Sequence, residues 1–97
     1  MTKTCDRHKT SIEGFTNKEL AIAVADLRYD ALAEFLGALG LQLDNDSHAD
    51  RNRGRPKLAE HLDHASSNII HASIDIRRAW KICEPHMEIK NDVDPAA

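Results

Sequence analysis

Residues 58–83 read LAEHLDHASSNIIHASIDIRRAWKIC, and the fold turns on how that stretch is divided. Leu58, Leu62, Ala65, Ile69, Ala72, Ile76, Ala79 and Cys83 recur at alternating spacings of four and three, the seam of a heptad repeat on an α-helix. Pro56, just upstream, suits the first position of that helix, where a missing N–H costs nothing. Glu84 precedes Pro85 and is biased away from helical geometry, so the pattern predicts a helix over 57–83. Ile70 and Ile74 lie off the main seam and give this helix a second contact face.

Working upstream, Thr16 followed three residues later by Glu19 is a capping box, and Phe15 with Leu20 occupies the positions of a hydrophobic staple. Gly40 fits the residue just past a helix end, with Leu41 placed to touch Leu36. These signals predict a helix over 17–39. Its apolar arc is wide, taking in Leu20, Val24, Leu27, Leu32, Phe35 and Leu39, and only a strip of Glu19, Asp26, Asp30 and Glu34 is made for water. Arg28 interrupts that arc and is expected to lay its stem on apolar surface while its head reaches water or a carboxylate. Residues 44–56, DNDSHADRNRGRP, collect turn formers and belong to a loop.

The chain therefore reads as one all-α domain over 1–97: tail 1–15, helix 17–39, loop 40–56, helix 57–83 and tail 84–97. The expected architecture is a long antiparallel helical hairpin. Two such helices own more apolar surface than they can cover between themselves, so a homodimer forming a four-helix bundle is the expected assembly, with Leu27, Phe35, Ile69, Ile76 and Trp80 as core or dimer anchors.

With 97 residues, 41% hydrophobic and 30% charged, the composition is that of a soluble globular chain, not a disordered one. A net charge of -3 argues against a surface devoted wholly to nucleic acid or anionic lipid. No apolar run approaches the roughly 18 to 20 residues of a bilayer span. Two cysteines are too few for a disulfide framework and fit a reducing, cytoplasmic setting. No glycine-rich phosphate loop, Gly-x-Ser-x-Gly or His-Glu-x-x-His occurs, and the expected role is a non-enzymatic interaction or regulatory module.

Three patterns carry candidate chemistry. Cys5 with His8 and Cys83 with His86 are each a cysteine followed three positions later by a histidine, and a hairpin brings the two tails to one end, where thiolates and imidazoles would suit a structural zinc ion. Arg53-Gly54-Arg55-Pro56-Lys57 resembles the core of an AT-hook; the resemblance covers five residues and implies a DNA-associated protein whose Arg53, Arg55 and Lys57 approach the minor groove of AT-rich DNA. Finally His61, His64, Asn68, His71 and Asp75 form a polar stripe on the second helix. In a hairpin whose facing residue numbers add to about 100, it stands level with Asp26, Asp30 and Glu34, material for a metal-dependent hydrolase. The ordinary alternative for the stripe is a solvated flank with Asp-His hydrogen bonds.

Overall fold

The structure, a computed structural model, describes residues 8–93, with side chains described through His86. It contains α1 (Asn17–Ala25), α2 (Tyr29–Asn52) and α3 (Pro56–Val93), with no strand among the described residues. The chain is all-helical, and α2 and α3 form the long antiparallel hairpin.

α1 begins at the predicted capping box: the Glu19 N–H donates to Thr16 Oγ1 at 3.0 Å and the Thr16 N–H to Glu19 Oε1 at 2.9 Å. It stops at Ala25, so the expected single helix over 17–39 is two helices. Asp26 caps α1, and Arg28 is extended, with φ −57° and ψ 146°. Neither glycine nor proline marks this break. It is held by tertiary contacts that local patterning does not encode: Arg28 grips Asp30 through Nε and Nη2 at 2.7 and 2.8 Å, and its guanidinium lies 5.0 Å above the ring of Trp80 on α3.

Gly40 is not a helix terminator. α2 runs through it to Asn52, because Gly40 is buried where α3 crosses closest. A Cβ placed there would stand 2.6 Å from Ile70 Cγ1 and 3.3 Å from the Ser66 carbonyl oxygen. The glycine serves close approach between helices, not left-handed backbone. The loop predicted over 40–56 consequently shrinks to Arg53, Gly54 and Arg55. Gly54 supplies the positive φ of +81° that the tight turn requires, and Pro56 opens α3 as expected. At its far end α3 continues through Pro85, past the predicted stop at Cys83.

The hairpin closes on a seam of small residues. Ala33, Gly40 and Ser47 on α2, and Ala59, Ser66 and Ser73 on α3, are all buried, and within each helix they stand seven residues apart. Each buried serine donates across the interface to a main-chain carbonyl: Ser47 Oγ to Ala59 at 2.8 Å, Ser66 Oγ to Gly40 at 2.7 Å, and Ser73 Oγ to Ala33 at 2.9 Å. In every pair the residue numbers add to 106, which fixes the register over the full contact. The seam predicted on α3 is right in period and displaced by one residue in half its positions. Leu62, Ile69, Ile76 and Cys83 belong to both stripes, but Ala59, Ser66 and Ser73, not Leu58, Ala65 and Ala72, fill the closest approach. Leucine in those positions would hold the backbones too far apart for a serine hydroxyl to reach the opposite carbonyl.

The radius of gyration is 17.4 Å over extents of 58 × 29 × 13 Å, whereas a globular chain of this length would have about 13 Å. Among the described residues extensive contact joins only α2 and α3, and α1 buries no residue. The small seam generates a paired expectation. Gly37→Ala, whose Cβ would meet only Ser73 Oγ at an ordinary 3.5 Å, should raise the thermal midpoint through a helix-propensity gain of up to about 1 kcal/mol. Gly40→Ala gains the same propensity yet should lower the midpoint, because overpacking against Ile70 costs about 1–3 kcal/mol; thermal denaturation of the two variants side by side checks it.

Candidate functional site

The sequence-predicted groups do not assemble into one centre. Of the zinc set, Cys5 lies outside the described residues. His8 is exposed ahead of α1, Cys83 is half-buried on α3, and His86 is exposed one turn further along. Among the described residues no group of three or more His, Cys, Asp or Glu side chains is placed to hold a metal ion.

The Arg-Gly-Arg segment is the hairpin turn. Asp50, 7% exposed, accepts from Arg53 Nη1 at 3.1 Å and Arg55 Nη1 at 3.0 Å, while its carbonyl accepts the Arg55 N–H at 2.9 Å. The two arginines that the AT-hook resemblance assigns to a minor groove thus converge on one carboxylate, and an extended Arg-Gly-Arg would have to give up both contacts and the φ of Gly54. Lys57 is exposed on the first turn of α3.

The polar stripe is a solvent face. His61, His64, Asn68, His71 and Asp75 are all exposed. The rings of His61 and His64 meet edge to face at 6.2 Å, and Asp75 stands 3.6 Å from Arg78 on its own helix. The carboxylates expected opposite them are elsewhere: Asp26 is in the α1–α2 break, Asp30 is held by Arg28, and Glu34 is exposed. With facing numbers adding to 106, Asp30 is level with Ile76 and Glu34 with Ala72, and among the described residues no metal-holding cluster of imidazoles and carboxylates forms across the hairpin.

Two concavities remain where α1 meets the hairpin. One is a cleft of about 330 Å³ between Asp26, Leu27, Arg28 and Tyr29 on one side and Trp80 and Cys83 on the other. Its electrostatics are set by the Arg28–Asp30 pair: the guanidinium holds the Asp30 carboxyl below its ordinary range, helped by the Ala31 N–H, and Asp30 in turn raises Arg28. The other is an apolar trough of about 400 Å³ with Leu20, Ala21, Val24 and Ala25 along one wall and Leu32 and Phe35 along the other.

The largest feature is neither of these. At 100° per residue, Leu32, Leu36, Leu39 and Leu43 share one flank of α2, and Leu58, Leu62, Ala65, Ile69, Ala72 and Ile76 share the flank of α3 on the same side of the seam. None of them is buried; Leu39 and Leu58 are 38% and 39% exposed. Of the anticipated anchors, Ile69, Ile76 and Trp80 are half-buried while Leu27 and Phe35 are exposed. The residues that sequence reasoning missed are the small ones of the seam. Their signal was the seven-residue recurrence of Ala33, Gly40 and Ser47 opposite that of Ala59, Ser66 and Ser73. The chain matches no protein family, curated protein or solved structure.

Two outcomes are expected here. Asp50→Ala removes the acceptor shared by two guanidiniums at the turn and should cost about 1–3 kcal/mol in urea denaturation, with the helices retained by circular dichroism. For Asp30 the folded pKa is depressed, so its stabilisation is present above the ordinary carboxylate pKa and is lost as pH falls through the folded value. Fluorescence of Trp80, the sole tryptophan, should report that acid transition in the parent protein and lack it in Asp30→Asn.

Proposed function

We propose that this chain is a non-enzymatic interaction module that works as a homodimer, two hairpins joining through their open apolar faces into a four-helix bundle. The observation that carries the reading is the poverty of the core: the buried hydrophobic residues among those described are two alanines, Ala33 and Ala59, while Phe35, Leu39 and Leu58 keep more than a third of their surface in water. A hairpin of this kind satisfies its buried serines through main-chain carbonyls but shelters almost none of its leucines. Soluble monomers rarely expose a continuous apolar patch of more than a few hundred Å².

The size of the face fits a second copy. α2 has 24 residues, about 36 Å of helix, and two helices side by side with their flanks give a face of roughly 700 Å². That approaches the roughly 800 Å² per partner of a stable protein interface. A self-complementary strip of leucines and alanines also suits an interface in which each copy presents the same patch. A cytoplasmic setting belongs to the same reading and rests on the thiol chemistry of only two cysteines. Among the described residues no helix is long and apolar enough to cross a membrane.

The test is the mass of the native protein by light scattering or native mass spectrometry at micromolar concentration. The parent is expected at twice the chain mass. Leu39→Lys combined with Leu58→Lys, both exposed on the face and outside the serine seam, is expected at the chain mass with its helical signal intact. A parent that runs as a monomer, or a double variant that remains a dimer, overturns the proposal.

A further inference from the structure

Resting on the homodimer reading, we propose that the second copy docks end for end, so that the turn of one hairpin lies over the α1 end of the other, with the two-fold axis at the height of Gly40 and Ser66. The register itself supplies that centre. The three serine rungs are disposed symmetrically, Ala33–Ser73 and Ser47–Ala59 lying equally far on either side of Gly40–Ser66. Rotation about this point sets α2 against α2 and α3 against α3, each pair antiparallel.

Leu58 decides between this arrangement and the alternative that stacks the two turns at one end. With facing numbers adding to 106, Leu58 stands at the height of residue 48 of α2, where the neighbouring positions are Asp46, Ser47, His48 and Ala49. A same-ended partner would set α3 of one copy against α2 of the other at unchanged heights, and so press this 39%-exposed leucine against the polar end of α2. Turning the partner end for end carries Leu58 to the height of residue 32, between Ala72 and Ile76 of the other α3, an apolar side chain on an apolar surface. Leu36 and Leu43 of opposing α2 helices come level by the same operation, and the alanines Ala65 and Ala72 let the two α3 helices approach. Leu32, which this rotation leaves without an apolar counterpart, is the residue that α1 already flanks in the trough with Leu20 and Val24.

The test uses the full chain with a nitroxide on Asn52→Cys, an exposed position at the end of α2 and away from the apolar face, in a Cys5→Ser, Cys83→Ser background. Asn52 lies twelve residues from the axis and on the outer side of the bundle, so pulsed dipolar spectroscopy should give a separation of roughly 40 Å or more. Oxidised Leu39→Cys should also form a disulfide-linked dimer, because Leu39 sits one residue from the axis and faces its own copy. A dimer mass with a separation under about 30 Å, as stacked turns would give, overturns the end-for-end arrangement and leaves the dimer standing. A monomer mass with no dipolar signal overturns the dimer reading and this inference with it.

Discussion

Everything in this molecule follows from how closely α2 and α3 approach. Gly40 removes a side chain where the helices cross, and three serines turn the remaining gap into hydrogen bonds to main-chain carbonyls. Each carbonyl keeps a second lone pair after its own helical bond, so the serines add partners without taking any away. The register is thereby set by directional contacts, where a leucine seam would set it by volume alone. A typical net contribution of about 1 kcal/mol per such bond is modest. Its larger effect is specificity, since sliding one helix past the other would leave buried hydroxyls without acceptors.

A seam made this way leaves the large apolar side chains outside. Leucines and isoleucines that would have met in the centre of a conventional hairpin are pushed to its flanks, and those on one side form the continuous face on which the proposed assembly rests. The charged groups are arranged around the same constraint. Asp50 gathers Arg53 and Arg55 to close a three-residue turn, and Arg28, pinned by Asp30 and stacked on Trp80, fixes where α1 leaves the hairpin. The arginines that most invite a nucleic-acid reading thus have structural partners inside the chain.

Much of the outline was legible beforehand. The Thr16–Glu19 capping box, the Pro56 helix start, the heptad period of residues 58–83 and the antiparallel pairing all depend on nearest neighbours along the chain, and they appear where local chemistry places them. The polar stripe on α3 was also legible as a run of exposed residues, its ordinary reading.

What escaped the sequence lies where a distant residue overrides a local preference. Gly40 has the look of a helix terminator, and only Ile70 and Ser66 reveal that it is a contact point. The break at Asp26–Arg28 carries no breaker residue and is stabilised by Trp80, more than fifty positions away. A one-residue displacement separates the predicted stripe from the buried one because periodicity fixes spacing but not phase: two adjacent heptad stripes, one of Leu and Ala, the other of Ala and Ser, satisfy the same count. By itself the sequence determined that there would be helices, which way they would run and that apolar surface would be in excess. The tertiary structure alone decided which stripe faces inward, because that choice depends on whether two backbones come near enough for a hydroxyl to reach a carbonyl, a distance no single strand of text contains.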